Sequence, residues 1–171
     1  MRTDVAYATD GGKIPIEELA RLPTFYMPTL SHDRKHLAFY WDRTGRIELY
    51  VMEPAAGATP RQVSDGSVPR DMRAGFAWAR DGKAIIFAKD NDGDEQHNLW
   101  RLDLETGEAE QLTDNPHAQE YPVEVSPDNR TLLVLSNKDG QLNVHAFDLE
   151  TRTYTPPHRL PEPGLHGAVE S

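Results

Sequence analysis

A repeat constrains this chain more than any other feature. Leu30-Ser31-His32-Asp33-Arg34-Lys35-His36-Leu37-Ala38-Phe39 lines up with Trp78-Ala79-Arg80-Asp81-Gly82-Lys83-Ala84-Ile85-Ile86-Phe87, and both line up with Val125-Ser126-Pro127-Asp128-Asn129-Arg130-Thr131-Leu132-Leu133-Val134. The aligned aspartates stand 48 and then 47 residues apart. A second block follows each first one: Ile47-Glu48-Leu49-Tyr50-Val51, Asn98-Leu99-Trp100-Arg101-Leu102-Asp103 and Asn143-Val144-His145-Ala146-Phe147-Asp148. A third block, Arg61-Gln62-Val63-Ser64-Asp65 and Glu110-Gln111-Leu112-Thr113-Asp114, closes two of the units. Periods of about 20–50 residues indicate solenoids, propellers or arrays.

Each unit reads as four short strands. Ala84-Ile85-Ile86-Phe87-Ala88 and Leu132-Leu133-Val134-Leu135 are apolar runs too short for helices, with turn signals on both sides. Ser126-Pro127-Asp128-Asn129 suits a type I turn, and Asn129 and Gly82 tolerate the positive φ that follows. Arg34 fills that slot less well. The expected fold is therefore all-β, a partial β-propeller of about three four-stranded antiparallel blades spanning about 27–65, 75–114 and 120–154. An N-terminal extension, 1–26, carries a helix candidate at Ile14 to Leu22, and 155–171 reads as an irregular Pro-rich tail. Pro156 and Pro157 predict that the third unit loses its closing strand, since proline cannot donate to a ladder. Face-to-face stacking would bury Ile85, Ile86, Phe87, Leu132, Leu133 and Val134 and leave Asp92 to Gln96 exposed. A three-blade arc would also leave bare ends, at Leu37-Ala38-Phe39-Tyr40-Trp41 and Leu132-Leu133-Val134-Leu135.

Composition narrows the function classes. The net charge of −10 is spread along the chain, so there is no electrostatic footprint for nucleic acid or an anionic membrane. There are no cysteines, which removes disulfides, thiolate metal sites and a thiol nucleophile. No run approaches the roughly 20 apolar residues of a bilayer span, and the N-terminus lacks a signal-peptide core. The expectation is a soluble, cytoplasmic protein.

Glu17-Glu18-Leu19-Ala20-Arg21-Leu22-Pro23, followed by Pro28-Thr29-Leu30-Ser31 and Leu37-Ala38-Phe39, resembles the opening of bacterial prolyl-oligopeptidase-family serine peptidases, which include acylaminoacyl peptidases and dipeptidyl aminopeptidases. The stretch Asp90-Asn91-Asp92-Gly93-Asp94-Glu95-Gln96-His97-Asn98-Leu99-Trp100 is similar to the acidic hairpin of the same propellers. Similar blades occur in periplasmic proteins of the TolB type. The resemblance implies a propeller joined to an α/β-hydrolase domain with a Gly-x-Ser-x-Gly nucleophile elbow. No such elbow occurs here; Asp65-Gly66-Ser67-Val68-Pro69 has proline at the second glycine position. The family's catalytic residues thus have no positions to map onto.

Other candidate chemistry reads as structural. An EF-hand loop begun at Asp90 would need Gly and Glu where Glu95 and Arg101 stand, so Asp90, Asp92, Asp94 and Glu95 read as a solvated hairpin tip. Histidines 32, 36, 97, 117, 145, 158 and 166 contain no metal-binding helical pair. Ser31, Ser126 and Ser136 lack a triad signature. Arg61, Arg70, Arg73 and Arg80 form a basic cluster interleaved with Asp65, Asp71 and Asp81. It suits local ion pairs, or a substrate carboxylate in an intact enzyme. Trp41, Trp78, Trp100, Phe39, Phe87 and Tyr50 fall in strands and suit packing between blades. No catalytic, cofactor-binding or metal-binding residue is expected, and no cofactor. The reading is the non-catalytic propeller portion of a serine peptidase, meeting peptide substrates through a hydrolase domain and prone to self-association. The alternative is a stand-alone peptide- or protein-binding module that completes its ring by oligomerising.

Overall fold

The computed structural model describes residues 24–66, 68, 74–90 and 96–155. Among them are three four-stranded antiparallel sheets, each with its strands in chain order. Blade one comprises β1 (Phe25–Leu30), β2 (Leu37–Trp41), β3 (Glu48–Met52) and β4 (Arg61–Gln62). Blade two comprises β5 (Phe76–Trp78), β6 (Ala84–Asp90), β7 (His97–Asp103) and β8 (Ala109–Gln111). Blade three comprises β9 (Glu120–Val125), β10 (Thr131–Ser136), β11 (Asn143–Asp148) and β12 (Thr153–Tyr154). This is the partial propeller that the repeat predicts. The helix candidate at Ile14 to Leu22 and residues 156–171 lie outside the described residues.

The first hairpin is built the same way in every blade. The N–H groups of Ser31, Ala79 and Ser126 donate to the carbonyls of His36, Ala84 and Thr131 at 2.8, 2.9 and 2.7 Å. Within each turn, Arg34, Gly82 and Asn129 take positive φ values of 60°, 70° and 61°. Two of the three units add a side-chain brace. Ser31 and Ser126 donate to Asp33 and Asp128, whose carboxylates also accept from the Lys35 and Arg130 amides. The hydroxyl bond first, and the amide second, hold both aspartates below the usual carboxylate range. That brace compensates in the first unit for the arginine in a left-handed position, which costs a side-chain-bearing residue some strain.

Two apolar clusters join the blades, and β6 alternates between them. Ile85 and Phe87 face blade one, packing with Ala38, Tyr40, Leu49 and Val51. Ile86 faces blade three, packing with Val125, Leu132, Val134 and Phe147. Polar contacts cross the same seams. The Tyr40 hydroxyl donates to the Gly75 carbonyl at 3.1 Å, and Trp78 Nε1 donates to the Thr29 carbonyl at 3.1 Å.

Several expectations need correction. Leu133 is not buried: it is 40% exposed, because β10 turns it away from blade two and no further sheet among the described residues covers it. Leu132 and Val134 are buried, so the bare end of blade three comprises Leu133, Val123 and Val144 rather than the whole run. At the other end, Ala38 and Tyr40 are buried against blade two, and Phe39 sits in an aromatic group with Phe25, Trp41 and Tyr50. The exposed apolar residues there are Phe25 and Leu30, while the tip of the half-exposed Met27 lies beside Gly75 at the seam with blade two. Gln96 is half-buried, not exposed; Asp92 to Glu95 lie outside the described residues. Blade three also keeps a closing strand. Thr153 and Tyr154 pair with Asp148 and Phe147, and the Thr155 amide donates to the Ala146 carbonyl at 2.8 Å. The prolines come after these residues in sequence, so the pairing of Thr153 to Thr155 needs no amide from them.

Candidate functional site

The third sequence block forms a hydroxyl latch at the end of blades one and two. Ser64 and Thr113 follow the closing strands, and their hydroxyls accept the Leu49 and Leu99 amides at 2.8 and 2.9 Å. Each hydroxyl then donates to a buried carboxylate, Ser64 to Glu48 and Thr113 to Glu120. The glutamines two residues earlier fold back: Gln62 and Gln111 Nε2 donate to the Ser64 and Thr113 carbonyls, both at 2.8 Å.

In blade one the latch is self-contained. Glu48, on β3, also accepts from the Gly66 amide at 3.0 and 3.2 Å and from the Arg46 guanidinium. Arg46 reaches on to Asp65 at 2.9 Å, and hydrogen bonding to Glu48 first, then the two carboxylate charges, raise its pKa. Gly66 has φ +70°, a left-handed conformation that favours glycine, and a Cβ there would stand 2.7 Å from the Arg46 guanidinium, which would have to move. Thr44, Gly45 and Gln62 complete the rim of an open depression of about 470 Å³. Its buried carboxylate is saturated by protein donors, which suits holding strand ends together rather than proton transfer.

In blade two the carboxylate comes from the neighbour. Glu120 opens β9 of blade three, and it also accepts from the Tyr154 hydroxyl of β12 at 2.7 Å. Burial first, then the charge of Glu120, push the Tyr154 hydroxyl well above its usual pKa. The Tyr154 ring packs on Phe147 at 5.1 Å, with the Lys138 ammonium 4.9 Å from its centroid.

A third cluster joins the first turns of all three blades. Arg80, at the β5–β6 turn, donates to the Val125 carbonyl, pairs with Glu124 at 2.6 Å and meets His32 Nδ1 at 3.0 Å. Its backbone amide donates to Asn129 Oδ1 at 2.9 Å. With Nε, Nη1 and Nη2 all engaged, this guanidinium acts as a clamp between blades. Arg61 donates elsewhere, to the Leu104 carbonyl at 3.1 Å, so the two described arginines of the basic cluster make separate contacts between blades. Arg70 and Arg73 lie outside the described residues.

The remaining sequence candidates disperse. Ser31 and Ser126 are held in their turns, and the Ser136 hydroxyl accepts the Lys138 amide at 3.1 Å. His36, His97 and His145 use their rings for packing, against Trp78, Tyr121 and Tyr154. His117 is exposed, while His158 and His166 lie outside the described residues. Asp90 ends β6 opposite His97, and Asp92, Asp94 and Glu95 lie outside the described residues. Among the described residues no three His, Asp or Glu side chains converge as a metal site, and no helix is long and apolar enough to cross a membrane. Sequence reasoning missed Glu48 and Glu120. The available signal was a Ser/Thr-Asp pair repeated after the closing strands of blades one and two, with a glutamate placed inside or before a largely apolar strand.

No model of a known protein family matches the chain. The chain is 27% identical over 129 residues to dipeptidyl aminopeptidase BIII of Pseudoxanthomonas mexicana. The match takes in 74% of this chain but 18% of that protein. Among solved structures, TolB from Acinetobacter baumannii superposes with a TM-score of 0.63 at 17% identity, over 77% of this chain and 31% of TolB. The β-propeller domain of the trilobed protease from Pyrococcus furiosus gives a TM-score of 0.51 at 18% identity, over 78% of this chain and 41% of that one. The solved structures show the fold, a partial β-propeller, and the chain is similar in sequence to a dipeptidyl aminopeptidase of which it spans less than a fifth.

Proposed function

We propose that this chain is the substrate-filtering part of a serine peptidase, resembling acylaminoacyl and dipeptidyl aminopeptidases. In that role the blades roof the active site of a hydrolase domain in the cytoplasm, admit short peptides and turn away larger chains. They supply walls and no catalytic group. The observation that carries this reading is the likeness to dipeptidyl aminopeptidase BIII, laid over three blades.

A chimera tests it. Residues 24–155 replace the matching stretch of dipeptidyl aminopeptidase BIII, and cleavage of a dipeptidyl chromogenic substrate is compared with that of a long unfolded polypeptide. The expected chimera cleaves the first and excludes the second. A folded chimera that discriminates no better than the isolated hydrolase domain rejects the role. The 171-residue chain alone should not turn over acyl-peptide, dipeptide or ester substrates. Turnover that survives repurification, and disappears when a serine of this chain is replaced, would refute that.

The exposed face of blade three supports a second reading, in which the chain binds peptides or proteins on its own and completes a ring by self-association. Two copies would bring about six blades, within the usual four to eight. Light scattering separates the two: a sharp monomer near 19.3 kDa at micromolar concentration rules out ring completion by copies.

A further inference from the structure

The fourth-strand lane differs among the blades. In blade two, the Leu99 carbonyl accepts from Leu112 at 2.8 Å, the Leu99 amide donates to the Thr113 hydroxyl at 2.9 Å, and Asn98 Oδ1 accepts from the Asn115 amide at 2.7 Å. Blade one does the same with Val63, Ser64 and Gly66 on Leu49 and Glu48. The repeat puts Asn143 and Val144 at the positions of Asn98 and Leu99. Pro156, Pro157 and His158 then stand where Gln111, Leu112 and Thr113 stand, and proline has no amide to offer.

The described part of β12 reaches no further along β11 than Ala146, through the Thr155 amide. Val144 lies two residues on, so its N–H and C=O point to the same side of β11 as those of Ala146. Among the described residues no closing strand meets them. The Val144 side chain is 61% exposed, beside Leu133 and Val123 on the uncovered face of the blade. In blade two the corresponding residue, Leu99, is buried in a cluster formed by Leu112 of the closing lane and by the facing residues of blade three. Among the described residues, an unpaired strand edge and an apolar patch therefore coincide.

We propose that this edge binds an extended peptide by strand addition. The peptide places an apolar residue on the Val144 carbonyl, a Ser or Thr hydroxyl on the Val144 amide, and an amide two residues later on Asn143 Oδ1. Its pattern is that of Gln62-Val63-Ser64-Asp65 and Gln111-Leu112-Thr113-Asp114, supplied in trans. Apolar contact covers Val144, while the hydroxyl selects Ser or Thr. The inference rests on the blade fold and is independent of any peptidase role.

The test uses the full 171-residue chain and a labelled peptide copying Glu110 to Asn115, followed by fluorescence anisotropy. Saturable binding is expected. A peptide with valine in place of its threonine should bind about threefold to tenfold more weakly, the scale of one hydrogen bond. The variant P156Q/P157L/H158T restores the strand in cis and should abolish binding. Hydrogen exchange reports on the edge directly: the Val144 amide should be fast in the free chain and slow with peptide or in the triple variant. No saturable binding at millimolar peptide, equal binding of both peptides, or a slow Val144 amide in the free chain overturns the proposal. Should the triple variant fail to fold, the peptide pair and the Val144 amide still decide. Slow exchange at Leu49 and Leu99 verifies the blades separately, and fast exchange there overturns the blade fold and the edge site together.

Discussion

Ile86 and Leu133 occupy the same place in successive blades. Each lies five residues after its turn aspartate, Asp81 or Asp128, on the second strand of its sheet and on the face away from the preceding blade. Ile86 is 1% exposed and Leu133 is 40% exposed. Nothing in either residue explains the gap. Blade three covers Ile86 with Val125, Leu132, Val134 and Phe147, while no described sheet covers Leu133. Burial at this position belongs to the succession of sheets, so the energetic weight of a strand depends on what stands after it.

The largest expected effect follows from that contrast. Ile86→Ala should destabilise the chain by about 2–5 kcal/mol in a urea melt, the range for deleting buried aliphatic groups. Leu133→Ala should cost about 1 kcal/mol or less. Comparable losses at the two sites would mean that a second molecule covers blade three in solution. The latches offer a finer version of the same comparison. Thr113→Val leaves Glu120 and the Leu99 amide short of a partner across a seam and should cost about 1–3 kcal/mol. Ser64→Ala should cost less, since Glu48 retains Arg46 and Gly66. The reverse order would break the distinction between a latch within one blade and a latch between two. Tyr154→Phe removes one donor to Glu120 and should lower stability by about 0.5–1.5 kcal/mol, read as a shift in Tm.

The smallest effect concerns acid. Asp33 and Asp128 have pKa values lowered by folding, so the stability they contribute is complete above the ordinary value of 3.8 and is lost as pH falls through the lower folded values. Blades one and three should therefore loosen on acidification through their turns, while the Gly82 turn of blade two lacks the serine half of the brace. Replacing Asp128 with Asn should flatten the fall in Tm below about pH 4. An unchanged acid slope would show that other carboxylates govern it.

Local chemistry explains which parts of this molecule were legible in its sequence. The first turns could be read because Asp81-Gly82 and Ser126-Pro127-Asp128-Asn129 carry their own conformational instructions, and the repeat then places Arg34 at φ 60° by analogy. The strands could be read for the same reason. The latches could not, because the acceptor lies at no fixed offset: Glu48 is 16 residues before Ser64, whereas Glu120 is 7 residues after Thr113. Leu133 misled because a continuous apolar run looks the same whether one face or both are covered. The closing strand of blade three was concealed by proximity to Pro156, although a proline affects the ladder at its own position and leaves Thr153 and Tyr154 free to pair.

The two latches bear on how such a chain can be cut and lengthened. A sheet that carries its own acceptor, as blade one does in Glu48, is portable: duplication or transfer moves it with its end sealed. Blade two is not, because its Thr113 hydroxyl is completed by Glu120 of the following unit. A recombination point placed between them would strand a buried carboxylate on one side and a hydroxyl on the other. Heritable breakpoints in this architecture should therefore fall after Gly66 more readily than after Asp114, an asymmetry imposed by where the acceptor of each latch lies.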